Sequence, residues 1–256
     1  MRVASIQMVV EDNKSSNIRH AENLIDKVHS SDLVLLPEVW NCSYFRFDKY
    51  MSESESLAGE TISRISRKAR EVKAYILAGS IIEKREDGLY NTSVLMNREG
   101  EIIGVYRKMH LFSFGSSEKD ILKPGREPIT VKTELGVLGL AICYDLRFPE
   151  LFRKLSSDGA EVFLVPAAWP SGNRLEHWIV LNRARAIENL AYLISCDCAW
   201  KPGGGLSYQG RSMIVDPWGT VVASAGYDEE IVKATVDIGK VHKVRSEFSA
   251  LKDRVI

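Results

Sequence analysis

Cysteine, net charge and long apolar runs are all scarce in this chain of 256 residues. Its four cysteines, Cys42, Cys143, Cys196 and Cys198, are too few and too scattered for a disulfide framework, so reduced thiols are expected. Lys plus Arg and Asp plus Glu total 34 each, with no dense basic cluster, which leaves no field to gather a polyanion. Nucleic acid is therefore not an expected partner. No apolar stretch approaches the ~20 residues of a membrane span, and the opening "MRVASIQMVVEDN" turns acidic too soon for a secretory apolar core. A cytoplasmic protein with no membrane partner is the expectation. Metal ligands are sparse as well: Cys196 and Cys198 flank Asp197 without a nearby Cys or His cluster, so structural thiols are expected rather than zinc.

What the chain has in quantity is alternation of strand and helix patterns. Val3 to Val10 reads as a strand, and Ile18, Ala21, Ile25 and Val28 then mark one face of a helix. "DLVLLPEVW" is a short buried strand, followed by a second helix with Ile62, Ile65, Ala69 and Val72 at helical spacing. "AYILAGSII", "YNTSVLMN" and "EIIGVYRK" continue the sheet in antiparallel fashion. The second half repeats this order: strand (Val137 to Ile142), helix from Pro149, strand "EVFLVPAAW", helix (Leu175 to Asn189) and strand "AYLISCD". A hairpin at "DPWG" and the strand "IVKATVD" follow. The βα alternation without an intervening linker predicts one α/β domain over 1–256, with two sheets packed together and helices outside. The tail over about 239–256 shows no clear period and is expected to contact a partner subunit.

Three chemically reactive side chains stand just past the ends of apolar strands: Glu38 after "LVLLP", Lys108 after "IIGVYR" and Cys143 after "LGLAI". Strand ends line the ligand crevice of α/β sheets, so three such types in that setting outweigh any one of them. Together they suffice for acyl transfer without a metal or cofactor. A thiol attacks as thiolate and needs a base, which Glu38 supplies if Leu35, Leu36, Val39 and Trp40 desolvate its carboxylate. Lys108 and the backbone N–H of Tyr144 supply charge and a donor where an oxyanion would develop.

In that order, "LLPEVW", "YRKMHLF" and "LGLAICYDLRFPEL" resemble the Glu, Lys and Cys motifs of the nitrilase or carbon–nitrogen hydrolase superfamily. The likeness runs from "VASIQM" through "RARAIENLAYLISCD" to "GRSMIVDPWGTVVASAG". It implies an α-β-β-α sandwich, which agrees with the two-sheet pattern, and a homodimer or larger homo-oligomer assembled through the face bearing the nucleophile. It also implies a second glutamate beside the lysine and cysteine, placed by "SSEKDILKPG" at Glu118, with Asp120 the nearest substitute. The nucleophile is followed by Tyr144 and Asp145, as in amidase-type members, whereas nitrile-cleaving relatives usually carry Trp-Glu there. The motifs look most like the omega-amidase branch, which releases ammonia from 2-oxoglutaramate and 2-oxosuccinamate. The alternatives within the superfamily are deaminated-glutathione amidase, N-carbamoyl amino acid hydrolase and nitrilase.

Such substrates carry a carboxylate remote from the amide, for which Arg147, Arg174, Tyr44 and Lys201 are the candidate ligands. Trp169 is expected in the pocket wall, with core packing as the alternative. His110 and His177 leave a Cys-His hydrolase as a rival, although a histidine base is redundant if Glu38 fills that role. A non-catalytic binding protein on the same fold is the rival from another class. The "GGG" at Gly203 to Gly205 lacks the flanking strand and helix of a phosphate cradle and reads as a loop.

Overall fold

The three-residue strand Leu33–Leu35 shows how the molecule is layered. Leu33 and Leu35 join one buried cluster with Leu140 and Leu164, whereas Val34 between them joins another with Ile18, Ile25, Ile62 and Ile65. Successive strand residues point to opposite faces, so this strand has a sheet on one side and helices on the other. The computed structural model from which this follows describes residues 1–172, 174–200 and 207–255. Lys201 and Gly203 to Gly205 lie outside the described residues.

The first half contains β1 (Arg2–Gln7), α1 (Lys14–Asp26), β2 (Leu33–Leu35), the one-turn α2 (Tyr50–Glu53) and α3 (Glu60–Val72). It closes with β3 (Tyr75–Arg85), β4 (Gly88–Met96) and β5 (Ile102–Arg107). The second half begins with the short α4 (Glu118–Ile121), then β6 (Ile129–Thr133), β7 (Gly136–Leu140), α5 (Pro149–Ser157), β8 (Val162–Pro166) and α6 (Leu175–Asn189). After them come β9 (Tyr192–Cys196), β10 (Met213–Val215), β11 (Val221–Ser224), β12 (Glu230–Thr235) and α7 (Ile238–Glu247).

Two six-stranded mixed sheets result, in the orders β12-β1-β2-β3-β4-β5 and β11-β10-β9-β8-β7-β6. In each, three central strands run parallel through helical crossovers, β1-β2-β3 in one and β7-β8-β9 in the other. The sheets pack face to face, and Ser5 of β1 donates its hydroxyl to the Ser195 carbonyl of β9 at 2.9 Å. Helices α1 and α3 cover one outer face; Phe152 of α5 and Trp178 of α6, both fully buried, cover the other. This is the expected four-layer α-β-β-α sandwich.

Three details depart from the sequence patterns. Strand β12 crosses back to the first sheet and pairs antiparallel with β1, Ile231 opposite Ile6, although it follows the hairpin of the second half. Strand β6 is half-exposed, so it has no alternation to betray it, and its pairing with β7 creates it. The tail forms α7, which buries only Val241 and Val244 and therefore shows no helical period. It is held to its own chain by polar contacts: Asp237 caps it by accepting from Gly239 N at 2.9 Å, and Arg245 donates to the Ala160 carbonyl at 2.7 Å.

Candidate active site

Each of the three strand ends is held in place by specific backbone contacts. After β2, the Glu38 N–H donates to the Ala167 carbonyl at 3.2 Å, and Val39 takes a left-handed φ of 44° with its N–H on Ser80 Oγ at 3.1 Å. Gly79 of β3 allows this approach, because a Cβ there would stand 1.9 Å from the Pro37 carbonyl oxygen. After β5, the Lys108 N–H donates to the Asn91 carbonyl at 2.8 Å.

Cys143 follows β7 with φ 44°, a backbone region that costs an L-residue roughly 1–2 kcal/mol and holds only when neighbours enforce it. The turn Cys143–Arg147 then leads into α5, with Pro149 at the helix start as the sequence suggests. Asp145 does the enforcing: its Oδ2 accepts from Ile142 N at 2.8 Å and Tyr106 OH at 2.7 Å. Its Oδ1 accepts from His110 N at 3.2 Å and lies 2.7 Å from His110 Nδ1. One buried carboxylate thus ties the cysteine turn to the segment that carries Lys108.

The structure brings Glu38, Lys108, Glu118 and Cys143 together. Lys108 is fully enclosed and donates to Glu38 Oε1 at 2.7 Å and to Glu118 Oε1 and Oε2 at 2.9 and 3.0 Å. Glu38 Oε2 accepts from Ala168 N at 2.8 Å, and the Cys143 thiol lies beside the Glu38 carboxylate. Glu118 Oε2 also accepts from Phe112 N at 2.7 Å and Tyr44 OH at 3.2 Å. Asp120 is exposed, so Glu118 is the carboxylate at this position.

Burial pushes the Glu38 carboxyl above its ordinary value, against the pull of the Lys108 charge. Burial alone would discharge Lys108, but Glu118 and Glu38 outweigh it and hold the ammonium well above its ordinary value. Burial and then the negative Glu38 push the Cys143 thiol well up. The thiol therefore rests neutral beside the Glu38 carboxyl, and a thiolate formed alone would add a negative charge next to two glutamates. Moving the proton from sulfur to Glu38 keeps the local charge constant.

A narrow pocket opens at Cys143, walled by Tyr44, Phe112, Ala168, Trp169, Arg147 and Arg174. The Arg147 guanidinium lies over the Trp169 ring at 4.9 Å and the Tyr144 ring at 5.8 Å. Burial, with the charge of neighbouring Arg174, holds its pKa below the usual arginine value. Arg174 in turn stacks on Phe114 at 5.4 Å. Tyr44 lines the pocket but directs its hydroxyl at Glu118, so its contact is with the buried cluster. Trp169 serves both as wall and as core, 2% exposed and packed 5.2 Å from Trp178. His110 stacks on Phe148 at 3.7 Å with its Nδ1 on Asp145, and His177 Nδ1 faces Arg147 at 3.4 Å.

Sequence patterns alone miss Asn91, whose Nδ2 donates to Glu38 Oε1 at 2.8 Å and to Glu118 Oε1 at 3.0 Å. The first asparagine of "YNTSVLMN" is the only local trace of it. Asp197 is missed as well: its Oδ1 accepts from Trp169 N at 2.7 Å and Cys198 N at 2.9 Å, which shapes the segment that presents the Ala168 N–H. Cys196 and Cys198 direct their thiols at the carbonyls of Ile6 and Glu38, and no Cys, His, Asp or Glu group suited to a metal occurs among the described residues. No helix there is long and apolar enough to cross a membrane.

This architecture has close counterparts among known proteins. The model of the carbon-nitrogen hydrolase family matches residues 2–246. The 2-oxoglutaramate amidase of Paenarthrobacter nicotinovorans is 34% identical over 98% of this chain and 88% of its own length. Omega-amidase NIT2 of Homo sapiens is 32% identical over 99% of this chain and 94% of its own. The crystal structure of Saccharomyces cerevisiae Nit3, a member of branch 10 of the nitrilase superfamily, aligns with a TM-score of 0.92 at 32% identity. That alignment covers 100% of this chain and 97% of the yeast chain. A family match over nearly the whole length, carried by the same two-sheet fold, leaves one conclusion: the chain belongs to the carbon-nitrogen hydrolase family.

Proposed function

We propose that this protein hydrolyses the amide of a small linear ω-amide bearing a distal carboxylate, with 2-oxoglutaramate and 2-oxosuccinamate as the preferred substrates. The observation that carries the reading is the buried Glu38–Lys108 pair at 2.7 Å, set beside a cysteine in a left-handed turn at the mouth of a pocket. The 2-oxoglutaramate amidases and omega-amidases among its relatives support the choice of substrate.

In this reading Glu38 accepts the Cys143 proton as sulfur bonds to the amide carbonyl carbon. Lys108 and the Tyr144 N–H stabilise the oxyanion, a donor of this kind being worth ~3 kcal/mol in the transition state. Collapse of the tetrahedral intermediate breaks the C–N bond while Glu38 protonates the leaving nitrogen, which departs as ammonia. The remaining thioester is attacked by water whose proton Glu38 takes, and the acid and the thiol are released. Glu118 holds Lys108 charged and oriented throughout. Arg147 and Arg174, two neighbouring cations over aromatic faces, receive the substrate carboxylate. Glu38 and Lys108 come from the first sheet and Cys143 from the second, so residues 1–256 act as one domain.

Ammonia release from 2-oxoglutaramate, 2-oxosuccinamate, deaminated glutathione, N-carbamoyl amino acids, simple amides and nitriles tests the proposal, with Cys143→Ala in parallel. Activity on the first two, lost in the variant, is expected. Activity confined to another member of the panel would replace the substrate. If the whole panel stayed inert and iodoacetamide also failed to label Cys143, a binding protein would be the better description.

A further inference from the structure

Asn91 is fully buried on β4, and the acyl-transfer scheme above does not use it. Its two N–H groups are both committed, to Glu38 Oε1 at 2.8 Å and Glu118 Oε1 at 3.0 Å. Its Oδ1 is buried with no hydrogen-bond partner among the described residues. The amide orientation is unambiguous, because turning it over would set Oδ1 against two carboxylate oxygens. An orphaned buried acceptor is a standing cost, so stability alone does not account for an asparagine here.

Asn91 divides the oxygens of Glu38 unequally. Oε1 accepts from both Asn91 and Lys108, whereas Oε2 accepts, among the described residues, from the Ala168 N–H alone. The Cys143 thiol neighbours both the carboxylate and that same Ala168 amide. A proton arriving at Oε1 would have to displace a donor, while one arriving at Oε2 finds a lone pair open.

We propose that Asn91 is a positioning residue that, by occupying Oε1 of both glutamates, favours the carboxylate form of Glu38 and directs the Cys143 proton to Oε2. The S–H bond breaks as the O–H bond to Oε2 and the S–C bond form, with no other reactant involved. The inference rests on Glu38 being the base, as proposed above.

The test is the pH dependence of Cys143 alkylation by iodoacetamide, followed by mass spectrometry on the full chain, with thermal unfolding measured alongside. It needs no knowledge of the substrate. Losing a donor to the anionic carboxylate raises its pKa, so Asn91→Ala should move the acid limb upward by about one pH unit. Asn91→Ser, which retains one donor, should fall between the two. Asn182 of α6 is the control: it too is buried with an orphaned Oδ1, but its Nδ2 donates to the Trp178 carbonyl at 2.8 Å. Asn182→Ala should lower the melting temperature and leave the limb in place. An acid limb in Asn91→Ala coincident with wild type would overturn the proposal; should that variant not fold, coincidence in Asn91→Ser would do so. A limb that persists in Glu38→Gln would instead overturn Glu38 as the base, a result distinguishable from failure at Asn91 alone.

Discussion

Ala168 donates its backbone N–H to Glu38 Oε2 at 2.8 Å across 130 residues of sequence. One partner follows β2 of the first sheet and the other follows β8 of the second. The placement of Glu38 therefore depends on the two sheets being packed against each other.

Glu38 should govern the acid side of the rate profile. Burial holds its carboxyl above the ordinary 4.5, and the base is active only when ionised, so kcat/KM should rise with pH through that elevated value. Glu38→Gln should lower kcat/KM by at least ~10²-fold, abolish the acid limb and leave the circular dichroism spectrum unchanged.

Lys108 neutralises two buried carboxylates. Lys108→Met removes the cation and leaves Glu38 and Glu118 facing each other without it, which should cost about 3–5 kcal/mol in urea unfolding. Adding Glu118→Gln should restore part of that stability and none of the turnover. If Lys108→Met unfolds like wild type, the electrostatic account of the cluster is wrong.

Arg147 should act on substrate binding rather than on chemistry. Arg147→Ala should raise KM for a carboxylate-bearing amide by roughly 10–100-fold, the worth of a charge-assisted pair, with kcat little changed. A neutral aliphatic amide should show no such change. Equal losses on both substrates would assign Arg147 to packing against Trp169 instead.

Asp216 should make stability depend on pH at the tail. Burial raises its carboxyl, but Lys240 at 2.5 Å and the N–H groups of Thr220 and Trp218 at 2.9 Å outweigh that and lower it below the ordinary 3.8. A carboxyl lowered by folding stabilises the fold above its unfolded value, and that contribution is lost as pH falls through the folded one. Asp216→Asn should therefore melt below wild type at neutral pH, and the gap should close in acid. A gap independent of pH would remove the ion pair from the account.

Much of the candidate site is legible from short stretches of sequence. Glu38, Lys108 and Cys143 each end an apolar run, and the strand-to-turn change that exposes such a residue is a local property of a few neighbours. Glu118 needed family likeness, since "SSEKD" carries no periodic pattern, and its burial comes from Lys108, Asn91 and Tyr44 closing around it. The layered fold was legible for the same local reason: period-two and period-3.6 patterns alternate along the chain.

The amino-acid sequence by itself thus determined the kinds of element, their order and three reactive side chains, because strand and helix periodicity are set by nearest neighbours. Only the tertiary structure decided that β12 returns to β1, that the unpatterned tail coils into α7, and that Asn91, Asp145 and Ala168 hold the reactive groups. These are contacts between residues far apart in the chain, and no local pattern records them. Their energy comes from satisfying buried donors and charges, a condition that arises only once the sheets have closed and water has left.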